Sequence, residues 1–366
     1  MARSQPIARS PDWSVLPPEL LQMVARKLPD ISDFVKFRAV CTTWRSSACV
    51  SDPPPQLPWF LETAGYFNRK NLRFYSLLSG KIHTIPSPNS SGNWLRGPAH
   101  DYIILYDTTR CQISLFNPLT GRKVFLPFLD IAWLWHKETV KPVWVGPDPI
   151  ESGEPVVLLG YSLDFRTGIL ALYQPVAREW VVIEEPCLCS LRCCYFNGMC
   201  YVHEEVTGDT RVIDTVIRKV VHVIPPPPEG DYECNALRGA TYLVQSGGDI
   251  LLVVLHCYDF CNVYLEMADW HFHIHRLDLR SGNGKKPRWV KISSIGDQIL
   301  FLDEDNGFSL SCRDFGEFRG NSIYFIIRRY DQSLSFLCRY DIEEARAEPL
   351  YCPSEKGGTW IVPSLR

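Results

Sequence analysis

Apolar residues return at helical intervals over residues 12–49 and alternate with polar ones beyond residue 55. The first stretch reads DWSVLPPELLQMVARKLPDISDFVKFRAVCTTWRSSAC. Leu16-Pro17-Pro18 opens a helix there, because proline suits a first helical turn, where its missing N–H costs nothing. Leu20, Val24 and Leu28 then follow at i, i+4 and i+8 and mark one apolar stripe. Pro29 stops that helix and Asp30 starts a second, which carries Ile31, Phe34, Phe37 and Val40. Cys41, Trp44 and Ala48 continue the pattern on a third, short helix. Three helices in about forty residues cannot bury this much apolar surface alone. Leu16, Pro17, Val40, Cys41 and Trp44 therefore read as an interface awaiting a partner.

Pro53-Pro54-Pro55 follows as a stiff spacer. From there the period is that of strands, and no long amphipathic helix is predicted. Six times an apolar strand ends at a polar residue, turns through a short loop and returns, most often closing at proline. The segments are YSLLSGKIHTIP, FNPLTGRKVFLP, YQPVAREWVVIEEP, IDTVIRKVVHVIP, LDLRSGNGKKPRWVKI and YDIEEARAEPLYCP. Their turns open at Ser76, Asn117, Gln174, Asp214, Asp278 and Asp341, and Asn and Asp suit such places because their side chains bond nearby backbone. The spacings are 41, 57, 40, 64 and 63 residues, a unit near forty with insertions, which is the length of a four-stranded propeller blade. About 310 residues remain for the β region, enough for six or seven blades of roughly 45. Radial closure also removes strand edges that would otherwise aggregate. A β-sandwich ranks lower, since the hairpins repeat one motif. WFLETAG near residue 60 and TWIVPSL near 362 stand outside the six hairpins and are expected to share a blade as a clasp.

LPPEL, VARKL and DFVKFRAVCTTWR together resemble an F-box, the module that docks a Skp-type adaptor onto a cullin–RING ubiquitin ligase. The likeness runs through Leu16-Pro17, Glu19-Leu20, Leu28, Asp33, Arg38, Val40-Cys41 and Trp44-Arg45. It implies that Leu16, Pro17, Leu20, Leu28, Val40, Cys41 and Trp44 contact the adaptor. Further on, GDQILFLDEDNGFSLSCRDFGEFRGNSIYFI followed by TWIVPSL resembles the KIB-type β-propeller of plant F-box proteins. Leu300–Leu302 and Ile323–Ile326 would be strands of its last blade, with Gly307 and Gly320 at turns. Double-glycine kelch signatures are missing apart from Gly247-Gly248. The expected architecture is mainly β: an F-box over 12–50, a Pro-rich linker over 51–58, and a six- or seven-bladed β-propeller over 59–366. By resemblance the chain is a non-catalytic substrate receptor, with the adaptor bringing cullin and RING subunits and the propeller holding a target protein.

Composition narrows the alternatives. An apolar share of 46% among 366 residues is ample for a packed core, and a net charge of −3 is too balanced to point to nucleic acid or an anionic membrane. No apolar run is long enough for a membrane helix. Residues 1–11 read as a disordered arm with a faint transit-peptide flavour. Fourteen cysteines without a signal peptide fit reduced thiols inside a cell, in the cytoplasm or nucleus. Cys187, Cys189, Cys193 and Cys194 lack zinc-knuckle spacing and are expected to be small buried hydrophobes. His271, His273 and His275 share one strand face and are expected on a solvent-facing edge. Glu184-Glu185, Glu204-Glu205 and Glu343-Glu344 are expected to be solvated. Lys285-Lys286-Pro287-Arg288 fits an exposed hairpin tip, and Trp133, Trp135 and Trp144 either pack a blade or line a loop on one ring face. Nucleophile-elbow, phosphate-loop and metalloprotease motifs are all lacking, so neither cofactor nor metal is expected. Two other classes stay open: an F-box-like protein that sequesters its target outside a ligase, and a propeller enzyme or lectin.

Overall fold

A computed structural model describes residues 13–62, 71–88, 93–99, 101–107, 112–127, 140–143, 156–161, 168–174, 178–185, 191–228, 232, 239–257, 270–279, 286–303, 307–329, 334–351 and 358–365. It is a mainly β protein with three helices at its N-terminal end and a β-propeller behind them.

Helices α1 (Pro18–Arg26), α2 (Ile31–Ala39) and α3 (Thr42–Ser47) follow the predicted punctuation. Pro18 occupies the first turn of α1. Asp30 caps α2 by accepting from the Ser32 amide at 2.8 Å, which satisfies one of the orphan donors of a helix start. The apolar face that α1 buries is Leu21 and Ala25, one position on from the predicted stripe. Leu20 and Val24 are 48% and 47% exposed, and Leu28 is half-buried.

The β region forms five four-stranded sheets and one of five strands. Four are up-and-down meanders of consecutive strands. Where they are described, the C-terminal hairpins of the blades turn as the sequence implied; the turn after Asp278 lies outside the described residues. Asn117 accepts from the amides of Leu119 and Thr120, Asp214 from Val216 and Ile217, and Asp341 from Glu343 and Glu344, at 2.8–3.2 Å. Four residues after five of these turns open, the backbone enters the left-handed region, at Gly80, Gly121, Arg178, Arg218 and Ala345. The repeat is thus a repeat of turn geometry as well as of length.

Two sheets depart from the simple meander. In the first, Gly358–Ile361 from the end of the chain pairs antiparallel with Trp59–Glu62, which continues to Asn71–Ser76 and Ile82–Pro86. This is the expected clasp. In the last, Gln298–Leu302 runs parallel to Ser322–Arg329, and Gly307–Ser311 pairs on its other side. Gly307 opens that strand rather than a turn, pressed where a Cβ would lie 2.7 Å from a Leu302 methyl and 2.8 Å from one of Val244. Gly320 sits at a bend, where a Cβ would come within 2.5 Å of the Gly296 carbonyl.

Apolar cores lie between neighbouring sheets. One joins Tyr242, Val253 and Phe272 to Leu300, Phe325 and Tyr340. Another joins Phe60 and Trp360 to Phe301 and Tyr324 across the seam where the ring closes.

Candidate docking surface

The three helices sit on the first two sheets through one shared core. Leu21, Ala25, Ile31, Phe34, Phe37 and Ala48 pack with Trp59, Leu61, Phe74, Ile103, Leu105, Phe116 and Ile361. Between them the chain does not hang free: Pro54, Gln56 and Leu57 are buried. Gln56 accepts from the Ile31 amide at 2.8 Å and donates to the carbonyls of Pro54 and Pro55.

A polar cluster sits beside that core. The Asp30 carboxylate, 3% exposed, accepts from the hydroxyls of Ser76 (3.4 Å) and Ser79 (3.2 Å) and lies 3.3 Å from Nε2 of His83. His83 in turn stacks on Trp59 with ring centroids 4.3 Å apart. Burial pushes the Asp30 carboxyl up, but the Ser32 hydrogen bonds, the charge of His83 and the Ser79 hydroxyl together hold it below the ordinary value of 3.8. Ser76 is the single serine at a position where later blades carry Asn, Gln or Asp. Its place against Asp30 explains the exception, because an acid there would face another carboxylate.

Away from the ring the helices remain apolar. Trp13, Val15, Leu20, Met23, Val24 and Val40 are each between 47% and 75% exposed. Isolated exposed apolar residues are ordinary; six of them on one small module make its outer side the candidate docking surface. Of the seven residues expected to contact an adaptor, Pro17, Leu20 and Val40 are exposed, and Leu16, Leu28, Cys41 and Trp44 are half-buried. Trp44 packs at a tilt against Phe37, ring centroids 4.4 Å apart, and donates its indole N–H to the Trp13 carbonyl at 3.1 Å. Leu16, Leu28 and Trp44 touch the edge of the shared core without being sealed in it. Sequence reasoning passed over Trp13, Val15 and Met23; their weight shows only once Leu21 and Ala25 are seen to claim the inner face.

Other sequence features find structural places. Cys193, Cys194 and Cys200 are buried on adjacent strands, and burial raises the first two thiols far above the ordinary range, so they are inert small hydrophobes. Cys187, Cys189, Trp133, Trp135, Trp144 and Lys285 lie outside the described residues. His271, His273 and His275 do share a face of Trp270–Asp278, but that strand lies inside its sheet and His275 is fully buried, against the expected solvent-facing edge. Glu204 and Glu205 are likewise not solvated. Glu204 is buried and accepts from Thr207, and Glu205 pairs with Arg192 at 3.1 Å and accepts from Thr241. Among the described residues no group of three or more His, Cys, Asp and Glu side chains could hold a metal.

The profile of the KIB1-4 β-propeller matches residues 74–349, and that of an F-box-like module matches residues 13–52. The chain belongs to the KIB1-4 β-propeller family. An F-box/kelch-repeat protein of Arabidopsis thaliana is 25% identical, over 92% of this chain and 90% of its own length. F-box protein SKIP23 of the same plant is 25% identical, over 86% of this chain and 84% of its own length. Within this KIB1-4 propeller the helices carrying the exposed apolar group are those the F-box-like profile matches.

Proposed function

We propose that this chain is a substrate-receptor subunit of an SCF-type ubiquitin ligase. Its F-box docks a Skp-type adaptor, the adaptor connects it to cullin and RING subunits, and the propeller recruits a target protein for ubiquitination and degradation. The observation that carries this reading is the division of α1 between adjacent stripes. Leu21 and Ala25 are sealed against the ring, while Leu20, Met23 and Val24 face water. A helix that served only to cap the ring would have no need of the second stripe. In this role the chain contributes proximity and orientation, not chemistry, and transfer is catalysed by other subunits. The cytoplasm and nucleus are the compartments that suit it.

The test is co-purification with a Skp-type adaptor. Leu20→Arg combined with Val40→Arg is expected to abolish it while leaving thermal unfolding unchanged. Undiminished capture would refute the docking role. Target lifetime, with and without proteasome inhibition, separates a ligase receptor from a sequestering protein.

A further inference from the structure

The F-box is the first module of the chain, yet its core is finished by the last residues. Ile361 belongs to the same core as Leu21, Phe34 and Phe37, and Leu365 packs against it. The Ser364 carbonyl accepts from Nδ2 of the Asn117 side chain at 3.1 Å, which ties this tail to the second sheet beneath the helices. Left alone, α1 and α2 at nine residues each and α3 at six would be marginal, because helices shorter than about 12–15 residues gain their stability from packing. Polar contacts add to the dependence: Asp30 and Ile31 of the F-box are bonded to Ser76, Ser79 and Gln56. The first sheet, on which all this rests, is itself completed by Gly358–Ile361.

We propose that docking competence of the F-box is gated by ring closure: the apolar stripe of α1 takes its ordered form only once the C-terminal strand has seated. A chain lacking that strand, or one in which the clasp is open, would expose a ring edge but present no adaptor site. The device makes recruitment to a ligase conditional on a complete receptor. This inference rests on the docking reading for its consequence, but its physical content is the coupling between two ends of the chain.

Gly358 offers a test in the full-length protein. A Cβ at this position would lie 1.9 Å from the ring of Phe60, which is fully buried, so no side chain fits there without displacing that ring from the seam of the clasp. Gly316, where a Cβ meets nothing within 4 Å, supplies the control. Gly358→Val is expected to speed amide exchange in α1 and α2, as well as in Trp59–Glu62, by at least tenfold and to weaken adaptor capture by at least tenfold. Gly316→Ala is expected to change neither. Fast exchange in Trp59–Glu62 with α1 and α2 still protected would overturn the proposal. Should Gly358→Val fail to fold, native-state exchange of the unaltered protein in rising denaturant decides instead. Amides of α2 and of Gly358–Ile361 should open together, and separate opening of α2 at lower denaturant would overturn the coupling. Exchange needs no adaptor, so a wild-type chain that binds none would sink the docking reading and leave this measurement to judge the coupling by itself.

Discussion

Thr359 donates its hydroxyl to Oδ2 of Asp303 at 2.6 Å, joining the terminal strand to the last sheet across the seam of the ring. The same carboxylate oxygen accepts from the Trp360 amide at 3.2 Å, and the Trp360 indole donates to the Leu302 carbonyl at 3.1 Å. Asp303 is 4% exposed, so its partners have no water to turn to. Asp303→Ala leaves two buried donors unsatisfied, each costing about 1–3 kcal/mol. The variant is expected to lose about 2–6 kcal/mol of stability, read as an earlier denaturant midpoint. An unshifted midpoint would mean that the seam is held by apolar packing alone.

Adjacent leucines on α1 should behave oppositely. Leu21 is fully buried in the core shared by helices and ring, and Leu21→Ala removes three carbons from it. Such truncations cost about 2–5 kcal/mol. Leu20, half-exposed, makes Leu20→Ala close to neutral in stability. Adaptor affinity should fall for Leu20→Ala in a protein that melts normally, whereas Leu21→Ala should lower the melting temperature first. Equal melting of the two variants would contradict the assignment of inner and outer stripes.

The contrast also shows what could be read from the sequence. Proline at 18 and aspartate at 30 fix helix boundaries through local chemistry, and Asn117, Asp214 and Asp341 fix turns the same way, so these were legible. The pairing of residues 59–62 with 358–361 was legible too, because both segments lacked a hairpin partner. Which of two neighbouring apolar stripes on α1 faces inward was not. Leu20, Leu21, Val24 and Ala25 satisfy helical periodicity in either direction, and only the ring beneath them decides. His275, Glu204 and Glu205 escaped for a related reason: a polar residue in a strand reads as solvated until a neighbouring sheet covers it.

His203 gives a pH dependence with a definite sign. It is buried, with Nδ1 2.9 Å from the Thr210 hydroxyl and Nε2 3.0 Å from that of Tyr232. Burial pushes its pKa down to about 4 from 6.5; the Glu205 charge opposes this and that of Arg192 assists. Between those values the unfolded chain binds a proton that the folded chain refuses, so stability falls as pH drops from 6.5 towards 4. The full effect is of order 3 kcal/mol. His203→Gln, which cannot titrate, should flatten the slope of stability against pH in that window. A variant retaining the wild-type slope would assign the proton uptake to another group.

Asp30 titrates with the other sign. Its folded-state pKa lies below 3.8, so its contribution is complete above that value and is lost as pH falls through the folded one. Asp30→Asn keeps an oxygen for the Ser32 amide but loses the charge that faces His83 and the two serine hydroxyls. The variant should therefore be less stable than the wild type at pH 7 and equal to it once the wild-type carboxylate is protonated. Urea midpoints of the two proteins at pH 7, 5 and 3 measure this directly, with the gap expected at the first two values and narrowing at the third. A constant gap would show that the shape of the aspartate, not its charge, holds α2 to the ring.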